Sequence, residues 1–581
     1  MVMNSAIGTC MELSKFAEAV TSEWLEFKVT KIRNAKAVWR APQYSNYDFS
    51  CDNLFLNSYA YAISDAECFN YVEFDSKDSV QVFAERYGGF GIYKNGGGAR
   101  AGTLKNAQLK GIGPNCLVGD HDDLQHKHGS LDNFSAITET IYSNVLDKIL
   151  PKGTIKVIGL IEIPESYPQS TINSDRKYIL VREPCIRVGH FLRASEFQPK
   201  LEYKSQLACD VARVKRSIKR LPNILGGHDD FKNNFLSIIE NNATQFGFAQ
   251  AARILHGTLS PSNISLDGKW LDLPLAGFVA SGTNYCITSN LYTEHKKQLN
   301  YLLEMLHNYC KYNYVRMDKQ SFVNFYRRIF ENSFDLGIAY CLGIQKSAYE
   351  HLRSAEFKMI ARTFRRIIRS GKHIDVRRSV PTPNDPVKNL IVGSFVSLTD
   401  SSQAHCFLSV ANLNENEIKI YSEFFSTIVE TISLRSKTSR KLTIILMAIK
   451  AIKRAFISDL FYLTSVTEVV SEKISKNDRS LISPLINLYL DIAEWGFKEE
   501  ENIVTVIKYN NLEIKYFVTS ENYQVTYADS KGIFYKKFEE IYSYHFKQEN
   551  KSRGSFDSSL ITYIHTLNSA LFCIENGIND E

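Results

Sequence analysis

The segment His256-Gly257-Thr258-Leu259-Ser260-Pro261-Ser262-Asn263 is followed, nine residues beyond Asn263, by Asp272. Asn and Asp side chains offer hard oxygen donors, the kind that Mg²⁺ accepts. Upstream, Gly91, Gly96, Gly97 and Gly98, with Arg100 behind them, supply a backbone that can approach a phosphate closely. Lys110 ends a short strand-like stretch, and Glu139 lies on the next helical stretch, where it can pair with that lysine. A glycine loop, a phosphate lysine held by a helix glutamate, and an Asn–Asp metal pair are the parts ATP chemistry needs, because such catalysis rests on positioning and charge stabilisation. Each part alone is commonplace. Glycine clusters are usually turns, strand-end lysines are solvated, and loop Asn and Asp form turns. The order of the parts along the chain is what points to a nucleotide.

These residues need elements to hold them. Val80-Gln81-Val82-Phe83 alternates as a strand does, with glycine turns at 87–91 and 95–100. Asn106 to Lys110 reads as a short strand stopping at Gly111. Phe134, Ile137, Ile141, Val145 and Ile149 recur at helical spacing over 133–149. Lys156 to Ile161 and Tyr178 to Val181 read as further strands. The pattern from 200 to 370 is mainly helical. Ser379 to Pro386, with three prolines, is the best linker, and beyond it come helical patterns over 443–495, three alternating stretches between 503 and 527, and a last helix near 559–574. The expectation is an α+β, protein kinase-like two-lobed fold with an additional C-terminal α+β unit. Its parts are an N-terminal extension (1–74), a small lobe (75–190), a large lobe (191–378) and the separate unit (390–581).

Composition fits a globular protein: 581 residues, 44% hydrophobic, 23% charged. A net charge of +6 is small for this length and does not argue for nucleic acid. Eleven cysteines with no C-x-x-C spacing disfavour a zinc ribbon or a disulfide framework and fit a reduced cytoplasmic setting. No uncharged apolar run is long enough to span a membrane.

Gln108-Leu109-Lys110-Gly111-Ile112-Gly113-Pro114 resembles the Q-L-K-G-x-G-P segment of the selenoprotein O family, kinase-like proteins that transfer AMP from ATP to protein hydroxyls. Phe90-Gly91 and Gly96 to Arg100 resemble that family's glycine loop, and Ser135 to Glu139 its S-S-I-R-E helix. Val181-Arg182-Glu183-Pro184 with Arg187 to Phe191 resembles its C-R-V-A-P…R-F-G-x-F segment. His256 to Asn263 with Asp272 resembles its metal loop, with the same nine-residue spacing. The resemblance covers roughly residues 80–280. It implies that Lys110, Arg182 and Arg187 meet the ATP phosphates, that Glu139 orients Lys110, and that Asn263 and Asp272 bind Mg²⁺.

One departure bears on the chemistry. The family has an Asp immediately before the metal Asn, and antibiotic-type kinases have one after His-Gly; this chain has Ser262 and Thr258 there. A hydroxyl acceptor wants a base to remove its proton. A carboxylate acceptor is already ionised at pH 7 and does not. The chain is therefore expected to transfer AMP to a protein or peptide acceptor, one reading being a peptide carboxylate, a step similar to those in ATP-dependent maturation of modified peptides such as microcins. A pseudokinase that scaffolds a partner enzyme and an atypical phosphotransferase remain open alternatives.

Three other features stand out. Asp120-His121-Asp122-Asp123, His126 and His128 are dense in metal-ligand types but read first as a hydrated surface loop, with a metal site and a substrate lid as the alternatives. Arg362, Arg365, Arg366, Arg369, Lys372, Arg377 and Arg378 form a basic run that is either a solvated face or a dock for an acidic partner. Cys116 and Cys185 flank the proposed site; buried structural cysteines are the default, and a covalent relay the alternative.

Overall fold

The computed structural model describes residues 20–42, 51–90, 94–120, 128–164, 176–280, 283–286, 289–349, 352, 354–370, 374–382, 384–476, 478–509, 511–527, 532–546 and 555–578. Its first layer is an eight-stranded antiparallel sheet. The strands are β1 (Leu25–Ile32), β2 (Lys36–Arg40), β3 (Tyr61–Ala62), β4 (Phe74–Ala84), β5 (Ala101–Leu104), β6 (Ala107–Lys110), β7 (Val157–Ile163) and β8 (Lys177–Arg182). They lie in the order β2-β7-β8-β6-β5-β4-β1-β3. The sheet begins at Leu25, so three of its strands come from the stretch read in the sequence as an extension. Their partners lie far along the chain, β1 on β4 and β2 on β7, which short half-exposed stretches do not announce.

The ladder between β6 and β8 sets Gln108 opposite Arg182 and Lys110 opposite Leu180. Side chains two apart on a strand share a face, and so do directly opposed ones. Gln108, Lys110 and Arg182 therefore project to one side of the sheet. Helix α1 (Asp52–Tyr59) supports the N-terminal part of the lobe, and α2 (Asn133–Ile149) packs on the sheet. Asp132 caps α2, its carboxylate accepting Ser135 N at 2.8 Å, and Pro151 follows its end. Ile137, Ile141 and Val145 are all buried, each worth about 1.5–3 kcal/mol of transfer free energy.

The large lobe consists mainly of α3 (Asp210–Ile224), α4 (Phe231–Ala251), α5 (Glu294–Asn313), α6 (Lys319–Cys341) and α7 (Ala355–Arg369). Two strands, β9 (Ile254–Leu255) and β10 (Gly277–Phe278), pair Leu255 with Gly277. That pairing closes the base of the loop that carries Asn263 and Asp272. Its first turn needs a glycine: Gly257 has φ +84°, and a Cβ there would lie 2.1 Å from the Leu275 carbonyl oxygen.

The C-terminal region holds α8 (Pro386–Val396), α9 (Ser401–Val410), α10 (Glu415–Ser436), α11 (Arg440–Ile457), α12 (Leu463–Ser475) and α13 (Ile482–Phe497). A four-stranded sheet follows: β11 (Ile503–Tyr509), β12 (Leu512–Phe517), β13 (Asn522–Tyr527) and β14 (Ile533–Tyr535). Helices α14 (Phe538–His545) and α15 (Ser555–Gly577) complete it. The sequence reading anticipated β11 to β13 and the last helix but not α8 to α10 or β14; Asn510, at one of its turns, lies outside the described residues.

The fold is α+β, as the sequence indicated, but the C-terminal region is not a detached unit. The proline-rich stretch, whose Pro383 lies outside the described residues, runs into the capped helix α8. Asp385 accepts Val387 N at 2.9 Å and both of its oxygens meet Arg253 Nη1 at 2.9 Å. Lys388 Nζ reaches both Asp459 oxygens, at 2.5 and 2.6 Å. Helices α12 and α13 lie against α2, which is consequently buried almost all round. Tyr142 donates to the Phe461 carbonyl at 3.2 Å, Trp39 Nε1 to Asn487 Oδ1 at 2.9 Å, and Lys148 pairs with Glu494. One continuous apolar core runs from Trp39 and α2 through the large lobe to α15. Among the described residues no helix is long and apolar enough to cross a membrane.

Candidate functional site

Lys110 and Glu139 meet across the junction of sheet and helix. Lys110 Nζ lies 2.6 Å from Glu139 Oε2 and also pairs with Asp272. The other Glu139 oxygen accepts Arg182 Nη1 at 2.9 Å, and the same Nη1 lies 3.9 Å from Asp272 Oδ1. Glu139, Arg182 and Lys110 are buried, whereas the Asp272 side chain is 30% exposed. The network thus reaches solvent at Asp272. Burial alone would raise the Asp272 carboxyl, but Lys110, Arg182 and Arg100 hold it far below the usual carboxylate range. Asp272 is therefore an anion at neutral pH, as a metal ligand has to be.

Asn263 sits in the same loop. Its Nδ2 donates to the Thr258 carbonyl at 2.7 Å, and its Oδ1 accepts Ser262 Oγ at 3.1 Å. Thr258 Oγ1 donates to the Asp272 carbonyl at 2.7 Å, so the Asn and Asp ends of the loop are linked. Asp272 holds φ +62°, a left-handed conformation rare for a residue with a side chain. His256 is buried and packs on Trp270, and its Nε2 donates to the Asn263 carbonyl at 3.2 Å. Burial pushes its pKa down to about 4. It is a neutral strut for the loop. Glu294 accepts the backbone N–H groups of His256 and Gly257, both at 3.2 Å. Ser262 shares a hydrogen bond with Ser260 at 2.7 Å, and neither it nor Thr258 brings a carboxylate.

Arg187 takes a different place from the one the resemblance implies. It is buried behind Gln108, not turned to the open end at Asp272. Its Nη2 donates to Gln108 Oε1 at 2.8 Å, its Nη1 to the Ser262 carbonyl at 3.0 Å, and its Nε lies 3.5 Å from Glu85 Oε2. The guanidinium stacks over Tyr87, 4.9 Å from the ring centre. Two groups of the chain thus occupy its terminal nitrogens, while Nε faces Glu85 without a hydrogen bond.

The glycines divide. Gly91 lies outside the described residues. Gly96 N donates to the Leu117 carbonyl and Gly98 N to the Glu85 carbonyl, both at 2.9 Å. Gly97 has φ +146°, and a Cβ there would stand 2.1 Å from the Glu85 carbonyl oxygen. Gly96 to Gly98 therefore form a turn packed on Glu85, with two of its amides engaged within the chain. Arg100 donates to the Ser130 carbonyl at 3.2 Å and lies close enough to help hold Asp272 ionised.

Sequence reasoning missed Glu85. Its Oε1 accepts Thr103 Oγ1 at 2.6 Å and also Gln108 Nε2, while Oε2 faces Arg187 and His190. No local signal marks it: Glu85 continues the exposed phase of Gln81 and Phe83 along β4, yet it is buried. Glu85 ties the glycine turn, through its carbonyl, to the cation network, through its carboxylate.

The remaining features contribute less. Asp120 and His128 are described, and His128 Nδ1 bonds Ser130 Oγ at 2.8 Å; His121, Asp122, Asp123 and His126 lie outside the described residues. In the basic run, Arg365 pairs with Glu331, Arg366 with Glu417 and Arg377 with Asp375. Arg362, Arg369 and Arg378 are exposed, and Lys372 lies outside the described residues. Burial pushes the thiols of Cys116 and Cys185 up to about 11, which leaves little thiolate for a relay. Among the described residues no three His, Cys, Asp or Glu side chains gather around a common point. A cation on Asn263 and Asp272 would therefore take its other ligands from phosphate oxygens and water, the usual way Mg²⁺ is held.

No protein-family model matches this chain, and no curated protein does.

Proposed function

We propose that this protein is a Mg-ATP-dependent nucleotidyltransferase that moves AMP onto a carboxylate of a protein or peptide. The observation that carries the reading is the convergence of Lys110 and Arg182 on Glu139, with Asp272 at the exposed end of the same network. A buried carboxylate that fixes two cations beside an ionised, partly exposed aspartate is an arrangement suited to a phosphate chain and its metal. The resemblance of the motif-bearing segments to the selenoprotein O family supports the same reading.

Bound Mg²⁺ would neutralise phosphate charge and act as a Lewis acid at the transferred group. Lys110 exchanges its Asp272 contact for a phosphate oxygen, while Glu139 keeps it in place. Arg182 stays on Glu139 and Gln108 and faces developing charge from the sheet side. Arg187, Gln108 and Glu85 hold that face rigid. The acceptor carboxylate oxygen attacks the α-phosphorus, a P–O bond forms, the bond to the β-phosphate oxygen breaks, and pyrophosphate leaves with its electron pair. No proton has to be removed, which suits a loop with Ser262 and Thr258 at the positions of a base. The acyl-adenylate then serves a second nucleophile, delivered by a partner enzyme in peptide maturation.

A scaffold reading is favoured by one observation: Lys110 already pairs with Asp272, which closes the network on itself. The test is transfer of label from α-³²P ATP, with γ-³²P ATP in parallel, to protein and peptide acceptors from an extract, followed by hydroxylamine. Hydroxylamine-labile α-label with pyrophosphate release supports acyl adenylation. Release of ADP points to phosphotransfer, and bound but unturned ATP to a scaffold.

A further inference from the structure

The first turn of α5 is tied to the start of the metal loop, where Glu294 accepts the N–H groups of His256 and Gly257. Two residues further on, Lys296 is exposed. The end of α7 is fastened beside this turn, since Tyr292 Oη donates to the Ile368 carbonyl at 2.6 Å. Lys296, Arg369 and Arg365 lie near enough to His295 to reinforce burial in pushing its pKa down to about 4. Cations from two helices thus gather next to the loop that carries Asn263 and Asp272.

Helix α7 extends the cluster into a stripe. Lys358, Arg362, Arg366 and Arg369 are exposed and, with Arg365, fall on one side of a helix of ~3.6 residues per turn. Against them stand Glu331 and Asp335 on α6 and Glu417 on α10. Glu331 pairs with Arg365, which also lies over the Phe334 ring, and Glu417 pairs with Arg366. Burial holds the Asp335 carboxyl up to about 6 against the nearby Arg365, Lys358 and Arg362. Lys296, Arg362 and Arg369 form no ion pair among the described residues. From Lys358 to Arg369 the stripe runs ~16 Å, the reach of about five extended residues. Its successive cations stand ~4.5–6 Å apart along the axis, close to the ~6.6 Å between alternate side chains of an extended peptide. The exposed positions of α7 include no aromatic residue on which a base could stack.

We propose that this face docks an extended acidic segment of the acceptor, with carboxylates at alternate positions meeting Arg362, Arg369 and Lys296. The segment would run along α7 towards α5 and leave its continuation beside the metal loop. That the docked molecule is the acceptor rests on the nucleotidyltransferase reading; the docking itself does not.

The test is fluorescence anisotropy of a fluorescein-labelled decapeptide of alternating Glu and Ser, titrated with the full chain at constant ionic strength and without nucleotide. Wild type is compared with the double variant Arg362→Gln, Arg369→Gln and with Lys110→Ala. A second double variant, Lys215→Gln, Lys219→Gln, removes two exposed lysines of α3 and controls for net charge. The expected result is saturable binding by wild type, by Lys110→Ala and by the α3 variant, weakened about tenfold in the α7 variant, as two exposed charge pairs allow. Absence of saturable binding overturns the proposal. So does equal weakening in the α3 and α7 variants, which would show a net-charge effect only. Tighter binding of a uridine decanucleotide, lost in the same α7 variant, would overturn it in favour of a nucleic-acid surface. None of these results removes the nucleotide reading, because no ATP takes part.

Discussion

Gln108 and Arg182 stand opposite each other in the β6–β8 ladder, and the Gln108 side-chain oxygen accepts Arg182 Nε at 2.7 Å. The same oxygen accepts Arg187 Nη2 at 2.8 Å. A neutral amide thus holds two guanidinium groups side by side, one leading to Glu85 and the other to Glu139. The line runs from Glu85 through Arg187 and Arg182 to Glu139 and Lys110, with the neutral amide between the two adjacent cations and a carboxylate flanking each. At its Glu85 end Oε2 faces Arg187 Nε at 3.5 Å and His190 Nε2 at 3.6 Å without a hydrogen bond, so that end is held by charge and the rest by hydrogen bonds.

Glu139→Gln keeps the shape and removes the charge that Lys110 and Arg182 share. Breaking a buried pair from one side costs about 3–5 kcal/mol, because the partner charges stay buried. We predict a loss of that size in urea unfolding, with ATP affinity reduced as Lys110 loses its anchor. A change below about 0.5 kcal/mol, the range of ordinary surface substitutions, would show that the pairing is not maintained in solution.

Glu85 gives a pH signature. Burial raises its carboxyl, but Arg187, His190 and Thr103 outweigh burial and hold the pKa down to about 2. The folded value lies below the ordinary ~4.3 of the unfolded chain, so the stabilisation is present above that value and is lost as pH falls from about 4 towards 2. Its size is on the order of 3 kcal/mol. The stability difference between wild type and Glu85→Gln should be flat from pH 7 to 5 and shrink below about pH 4. A difference that grows on acidification would contradict the assignment.

The cysteines near the site should be bystanders. With thiols at about 11, Cys116 and Cys185 carry on the order of 100-fold fewer thiolates at pH 8 than an ordinary exposed thiol. Iodoacetamide should label the exposed Cys51, Cys209 and Cys406 first, as peptide mapping would show. Cys185→Ser should keep full turnover. Fast labelling of Cys185, or loss of turnover in the serine variant with folding intact, would revive a covalent role.

Much of the site was legible because its signals are local. Apolar spacing alone outlined α2 over 133–149, and the short strand before Gly111 placed Lys110 ahead of it. What the sequence hid depends on contacts made at long range. Glu85 joins the network only through the β4–β5–β6–β8 pairing, and Arg187 turns inward because Glu85 and Gln108 await it there. Leu25–Arg40 carries too weak an alternation to reveal that it pairs with β4 and β7. The apolar faces of α12 and α13 read as the core of a separate unit, since no local pattern distinguishes a helix covering its own neighbours from one covering α2.

The most direct measurement of the central claim compares wild type with Asp272→Asn for the products formed from Mg-ATP in the presence of acceptor extract. Asn is the right replacement, since it tolerates the left-handed backbone at φ +62° and removes only the charge. The account predicts AMP and pyrophosphate from wild type, and a rate at least ~100-fold lower from the variant under conditions where both proteins are folded. Equal turnover by the two proteins, or ADP as the sole product, would contradict it.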